Sequence, residues 1–315
     1  MKKSKLLALG LAAAAIVGVA GCASTAGSSS VENAQESQSE AALEAGVSET
    51  GASETEQTAS GQAHGITAPD GDDNHISIGV TPVPHAEIVN AVVKAKLEEA
   101  GWNVEVVEFN DYVQPNTALE DGELDANYFQ TIRYLEEQNS GRGLHLVAVA
   151  GIHLEPMGFY SSGIDSVDSL ADGSSISIPN DSSNGSRALK LLADNGLITL
   201  SDTEDLYDLT HIAENPHDFE FVELDAANLA RSLDDVEASV INGNYALEAG
   251  LNPSADALFA EQADSDESYK YINYLVVKEG NEETAKTKAL TEALQSEDVK
   301  SYIEENYQGS VIAAF

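Results

Sequence analysis

Apolar positions in this chain fall into two regimes, and the boundary lies near residue 75. Upstream, one apolar run covers 6–20, and the next fifty or so residues carry little periodic pattern. Downstream, short apolar runs alternate with stretches of helical spacing. Ile76-Ser77-Ile78-Gly79-Val80 predicts a strand. Ile88, Val89, Val92, Val93 and Leu97 then recur at helical intervals, with Gly101 as a stop. Residues 104–109, 144–150, 175–179, 220–224, 236–242 and 272–277 predict further strands. Residues 186–195, closed by Gly196, and residues 282–294 and 299–307 predict helices.

Strands alternating with helices imply the α/β class, with parallel sheets covered on both faces. The patterned part, roughly 240 residues, is large for one core and natural for two lobes. In such folds ligands sit at the carboxyl ends of strands or between lobes. No internal repeat is visible.

The unpatterned start has its own chemistry. Lys2, Lys3 and Lys5 precede the apolar run, which ends in Val19-Ala20-Gly21-Cys22. That order predicts a secretory signal over 1–21, with the only cysteine of the chain placed as in a bacterial lipoprotein box. Cys22 then becomes the first mature residue and carries lipid. The competing reading, a signal anchor, suffers because a span needs about 20 apolar residues. With Cys22 acylated no thiol remains, which excludes disulfides, a cysteine nucleophile and thiolate metal sites. From residue 23 to about 74 there is no aromatic residue, no Lys and no Arg, and ten acidic residues run from Glu32 to Asp73. Such a segment cannot offset its ordering entropy and is expected to be a disordered, self-repelling spacer. A helix over 31–47 competes weakly, because its apolar positions are mostly alanine. The expected location is outside the cytoplasm, on a lipid tether that reaches through a Gram-positive-type envelope.

The formal net charge is −39. Such an acidic surface argues against nucleic acid and anionic lipid as partners. No P-loop, G-x-S-x-G elbow or H-E-x-x-H occurs. The seven histidines include no pair at metal-ligand spacing, so no metal and no cofactor is expected, although distant His, Asp and Glu can still meet in space. Paired acids such as Glu98-Glu99 and Glu136-Glu137 fit solvated helix faces better than an acid/base couple.

Four segments combine loops, aromatics, amides and cations: 109–119, 125–135, 179–189 and 240–246. In the third, a strand ends at Pro179, a polar loop follows and a helix is expected from Ser186. That places Arg187 in the first turn, where free N–H groups and the dipole favour anions. A cation there suits a bidentate grip on a carboxylate, and equally an ordinary pairing with a surface Asp. Tyr112, Phe129 and Tyr134 are either the walls of a pocket for an apolar or thioether side chain, or plain core aromatics. Asn242 and Asn244 follow a strand and either bind a ligand's amino or carboxyl group or merely make turns.

These four segments, in this order, resemble the methionine-binding lipoproteins that feed an ABC importer. Also similar are Val80-Thr81-Pro82-Val83-Pro84-His85-Ala86-Glu87-Ile88, Glu155-Pro156-Met157-Gly158, Glu214-Asn215-Pro216 and Leu247-Glu248-Ala249-Gly250-Leu251. The resemblance covers residues 75–315 and the lipoprotein signal. It implies an α/β, two-lobed periplasmic-binding-protein fold (type II-like) with the ligand cleft between the lobes. Lobe 1 is expected over 75–158 plus 255–315 and lobe 2 over 159–254, after the signal and a 22–74 linker. It further implies that Arg187 holds the ligand carboxylate. Tyr112, Phe129 and Tyr134 would line the side-chain pocket, and Asn242 and Asn273 would bond the amino and carboxyl ends. Thr131 stands where the family usually has His after Phe-Gln. Its hydroxyl is shorter and cannot become cationic, which widens the range of ligands to a related amino acid or a small methionine-containing peptide. Val83 also stands where Gly is common.

The expected protein is therefore a monomeric, lipid-tethered receptor and not an enzyme. It captures L-methionine, or a close relative, by hinge closure and delivers it to a permease powered by a separate ATPase. A surface adhesin or structural lipoprotein of the same fold, and an extracellular hydrolase, are the alternatives of other classes.

Overall fold

The computed structural model describes residues 65–203, 206–263 and 268–315, all within one compact unit, Gly61–Phe315. The signal run, Cys22 and the acidic segment as far as residue 64 lie outside the described residues. Four strands open the fold: β1 (His75–Val80), β2 (Asn103–Glu108), β3 (Ala126–Thr131) and β4 (Leu146–Leu154). The chain crosses at Glu155-Pro156-Met157 and makes β5 (Gly158–Tyr160), β6 (Ser175–Pro179), β7 (Thr199–Leu200), β8 (Ile212–Glu214), β9 (Glu220–Leu224), β10 (Ala238–Ile241) and β11 (Phe259–Ala260). It returns as β12 (Ile272–Lys278) and ends with β13 (Ile312–Ala313).

These strands build a six-stranded sheet in the order β13-β4-β12-β3-β1-β2, a five-stranded sheet in the order β11-β5-β10-β6-β9 and a separate β7-β8 pair. Each sheet carries its own core. Ile76, Ile78 and Leu97 lie in the first, and Met157, Phe159 and Ile176 in the second. The α/β class and the two lobes thus follow from two sheets, each with helices packed on it. The apolar runs arise because β1 and β6 are covered on both faces, and five of the six residues of β1 are buried. Gly79 leaves room on β1 for the Leu124 and Phe109 side chains, whose ends would lie 2.6 Å and 3.1 Å from a Cβ there.

The sheets are mixed rather than wholly parallel. β1 runs parallel to β2 and β3, and β6 runs parallel to β9 and β10. β12 is antiparallel to β3 and β4, and β5 is antiparallel to β10. β13 is likewise antiparallel to β4, and β5 follows β4 of the other sheet directly, without the helical crossover that a parallel neighbour needs.

Several expected boundaries move, the strand expected over 144–150 being Leu146–Leu154 and the helix expected over 282–294 being Ala285–Leu294, and two of the shifts bear on the site and on the extent of the domain. The helix expected over 186–195 is Ser182–Asp194, because the Asp181 side chain accepts from Asn184 N at 2.8 Å and caps it four residues earlier. Arg187 accordingly lies in the second turn, not the first. Residues ahead of β1 also hold to the domain: Trp102 Nε1 donates to Thr67 O at 2.8 Å, and Thr67 N donates to Glu292 Oε2 at 2.6 Å. Among the described residues no helix is long and apolar enough to cross a membrane.

Candidate ligand-binding site

The seven residues expected to contact a ligand all line one cavity of about 20 Å³: Tyr112, Phe129, Thr131, Tyr134, Arg187, Asn242 and Asn273. Five come from the half built on the six-stranded sheet. Phe129 and Thr131 are on β3, Asn273 is on β12, Tyr112 is on the loop after β2, and Tyr134 opens the helix Ile132–Arg142. Arg187 and Asn242 come from the other half, on the helix Ser182–Asp194 and just after β10. A cavity of this size has room for about one water molecule, so the two halves meet closely here. A wider cavity of about 330 Å³ lies on the far face of Arg187, against Lys190, Glu261 and Tyr271. The unpartnered polar atoms described below belong to the smaller one.

The aromatic wall is a four-ring cluster. Tyr112 lies 5.8 Å from Phe129, 5.6 Å from Tyr134 and 4.9 Å from Tyr245, measured between ring centroids. Tyr112 is the hub because it joins the halves. Its hydroxyl donates to Asn244 Oδ1 at 2.5 Å, and its carbonyl accepts from the Tyr134 hydroxyl at 3.1 Å. Burial pushes the Tyr112 and Tyr134 hydroxyls well up from their ordinary range, so both remain protonated donors at physiological pH.

Arg187 is 7% exposed. Its Nε donates to Glu261 Oε1 at 2.8 Å, and Nη2 donates to Glu261 Oε2 at 2.5 Å and to the Glu155 carbonyl at 2.8 Å. Its guanidinium carbon sits 4.1 Å from the centroid of the Tyr271 ring. Burial works against the charge, and the Glu261 carboxylate more than offsets it. Among the described residues Nη1 takes no part in these bonds.

The amides complete the wall. Asn242 Nδ2 donates to Asn184 Oδ1 at 2.9 Å, while Asn242 Oδ1 is buried without a partner among the described residues. Asn244 Nδ2 is likewise buried and unpartnered. One acceptor and one donor of high desolvation cost therefore stand in the same wall. Thr131 caps the helix Ile132–Arg142 by accepting from Tyr134 N at 3.4 Å, which leaves its O–H available to donate.

Behind this wall the structure gathers three residues that no spacing linked. His85, His153 and Glu155 place their ligating atoms within 4.8 Å of one another, and all three are buried. Their residue types could hold a metal ion. Hydrogen bonds already use these atoms: Thr81 Oγ1 meets His85 Nδ1 at 2.7 Å, Tyr128 bonds His153 Nδ1, and His153 Nε2 meets Glu155 Oε1 at 2.6 Å. Burial drives His85 down to about 4, against the opposing charge of Glu155. Burial alone would raise Glu155. The charge of His85 and the bond from His153 instead hold it below the carboxylate range. Because His85 is uncharged near pH 7, the His153 bond and the nearby Arg187 charge are what favour the carboxylate there.

Asp181 is the other perturbed acid. Burial pushes its carboxyl up to about 6, despite the bonds it accepts from Asn184, and Glu137 adds to the rise.

Asn244, the other amide offered by the sequence, lines the same cavity, and so do Glu155, Gln130, Asn184 and Gly243, which the sequence did not single out. Gln130, Asn184 and Gly243 lie inside segments whose composition drew attention, and Glu155 lies in a segment quoted only for the family resemblance. Nothing distinguished them from ordinary loop polars, because their partners are remote in the chain: Asn184 lies 58 positions from Asn242.

Residues 76–315 match the family model described as NlpA lipoprotein. The D-methionine-binding lipoprotein MetQ of Escherichia coli K12 is 39% identical over 244 residues, which span 76% of this chain and 89% of that protein. Outer membrane lipoprotein 2 of Mannheimia haemolytica is 36% identical over 252 residues, 80% of this chain and 90% of that one. A solved nutrient-binding protein from Burkholderia cenocepacia, bound to methionine, is 41% identical with a TM-score of 0.73, covering 76% of this chain and all of that one. With a matched fold, a matched span and a cleft of this composition, the chain belongs to the NlpA lipoprotein family.

Proposed function

We propose that this chain is a lipid-anchored, extracytoplasmic receptor that captures methionine and delivers it to an ABC importer. The observation that carries this reading is the convergence, in one cavity between two sheets, of an aromatic cluster with polar atoms of both kinds. Arg187 Nη1 and Asn244 Nδ2 are donors suited to a carboxylate, and Asn242 Oδ1 is an acceptor suited to an ammonium. Three rings of the cluster, Tyr112, Phe129 and Tyr134, stand beside them to enclose an apolar or thioether side chain, and Tyr245 packs on Tyr112 behind them. An α-amino acid presents that combination. The methionine named for the E. coli and B. cenocepacia relatives supports the choice of side chain.

The lobes follow the sheets, 75–154 with 272–315 and 158–260. Ligand enters when they part, and Arg187 and the amides take the charged ends. Tyr112 closes onto Asn244 as the lobes meet. The closed form wins by its extra contacts with the ligand. It then docks on a permease served by a separate ATPase. No bond is made or broken, so the chain works as a receptor and not an enzyme. Cys22 carries the lipid.

Two measurements test this. Calorimetry of the full chain with L- and D-methionine, other amino acids, methionine sulfoxide and Met-containing dipeptides should give saturable 1:1 binding to methionine. Mass spectrometry of small molecules released on denaturation should find it as well. Thr131 gives the panel its purpose, since its free O–H can serve a ligand acceptor. Tighter binding of the sulfoxide or a dipeptide would reassign the ligand, and no binding at all would favour an adhesin or structural role.

A further inference from the structure

Glu155 stands at the crossing from β4 to β5, and its two carboxylate oxygens serve different sides. Oε1 is held from behind: His153 Nε2 lies 2.6 Å away and His85 Nε2 lies 3.4 Å away. Each ring is fixed by its other nitrogen, His85 Nδ1 by the Thr81 hydroxyl and His153 Nδ1 by the Tyr128 hydroxyl. Burial keeps Tyr128 protonated, so it donates, and the His153 ring proton sits on Nε2, facing Glu155. If Thr81 donates in the same way, the His85 proton also sits on Nε2, shared between Glu155 and Asn273 Oδ1 at 3.2 Å. The other oxygen, Oε2, takes no hydrogen bond among the described residues. It looks into the cavity beside Gly243, where a Cβ would lie 3.4 Å from it.

The nearest cation is already committed, because both prongs of Arg187 close on Glu261 and its contact with Glu155 is to the backbone carbonyl. Glu155 is 6% exposed, and a carboxylate at that depth is costly unless a charge meets it. Asn242 Oδ1, a second unpartnered acceptor, lines the same cavity. An α-ammonium fits both acceptors.

We propose that Glu155 Oε2 is the ammonium receptor of the cleft, and that His85 and His153 are positioning residues that hold the carboxylate turned toward it. This rests on the reading of the chain as an amino-acid receptor and sharpens it. The ligand must carry a free α-amino group, so N-acylated and des-amino compounds are rejected. A peptide is accepted only with its N-terminal amine at Glu155.

The test compares methionine with 4-(methylthio)butanoate, which differs only in lacking the amine. Both are titrated by calorimetry into the full chain and into Glu155→Gln, Glu155→Asp, His153→Leu and His153→Gln, with folding checked by thermal melts. The parent should prefer methionine at least about 30-fold, the low end expected for a buried charge contact. Glu155→Gln should lose methionine by a similar factor and leave the des-amino acid unchanged or better bound. Glu155→Asp should fall between the two. His153→Leu should weaken methionine alone, and His153→Gln, which keeps a donor near Nε2, should restore part of the loss. A merely structural role would weaken both ligands together. Methionine binding within threefold of the parent in Glu155→Gln overturns the proposal while leaving the receptor intact. No binding of any amine by the parent overturns both. Binding abolished by a chelator and restored by zinc overturns it in favour of a metal at the same three residues.

Discussion

Arg187 and Glu261 form a two-pronged ion pair, with Nε to Oε1 at 2.8 Å and Nη2 to Oε2 at 2.5 Å, and this pair sets which edge of the guanidinium is left for a ligand. A planar fork held along one edge and stacked on Tyr271 cannot swing, so Nη1 is presented at a fixed angle. Arg187→Ala should therefore cost about 2–5 kcal/mol of methionine binding, read by calorimetry. Arg187→Lys should recover little of it, because an ammonium cannot hold Glu261 and reach the ligand at once. Affinity unchanged in Arg187→Ala would remove the arginine from the site.

Tyr112 and Asn244 join the two halves at one point, hydroxyl to Oδ1 at 2.5 Å. Tyr112→Phe keeps the ring in its cluster and leaves Asn244 Oδ1 buried without its donor. Orphaning such a group costs about 1–3 kcal/mol. The bond exists only when the halves meet, so the loss should appear in ligand affinity, at about tenfold or more. Equal affinities for parent and variant would mean that the bond adds nothing to closure.

These relationships mark the limit of what the sequence discloses. The strand 175–179 is legible to the residue as β6, because a buried strand carries a near-continuous apolar run between turn residues, while 220–224 matches β9 although none of the residues of that edge strand is buried. The helix Ile132–Arg142 is not legible, since Glu136, Glu137, Gln138 and Asn139 blur its apolar stripe and only Tyr134, Leu135 and Gln138 are buried. Arg187 was visible as a scarce cation near a polar loop. Its partner was not, because Glu261 lies 74 positions away. Glu155 looked like a loop acid until β4 brought His153 beside it. Short-range pattern reports burial, whereas polar networks that span two lobes are written in tertiary contacts alone.

Stability should depend on pH through two opposing groups. His85 sits at about 4 in the fold against 6.5 when free, so the unfolded chain binds that proton first. This contribution destabilises the fold as pH falls from 6.5 to 4, by on the order of 3 kcal/mol. Asp181 sits at about 6 against 3.8, so the folded chain binds that proton first and gains a similar amount as pH falls from 6 to 3.8. In the parent the two largely cancel. Relative to the parent, His85→Gln should become steadily more stable on acidification across pH 6.5–4. Asp181→Asn, which keeps a capping side chain, should become steadily less stable across 6–3.8. Urea unfolding of the three proteins at half-unit steps gives the difference curves. Flat ones would mean that neither group titrates in the fold as described.

Gly243 of the second half packs closely against the crossing segment Glu155-Pro156. A Cβ there would stand 2.8 Å from Glu155 Cβ and 3.0 Å from the Pro156 carbonyl, both too rigid to give way. Gly243 also follows Asn242 and precedes Asn244, so any shift displaces both amides of the cavity wall. Gly243→Ala should therefore cost about 1–3 kcal/mol of folding stability through overpacking. It should lose methionine binding along with it. Gly163→Ala is the matched control: a Cβ there meets nothing within 4 Å, and the change should leave stability unchanged or slightly raised. Thermal melts and calorimetry on the two variants separate the outcomes. Gly243→Ala with the melting point and affinity of the parent would show that the halves do not approach at this point.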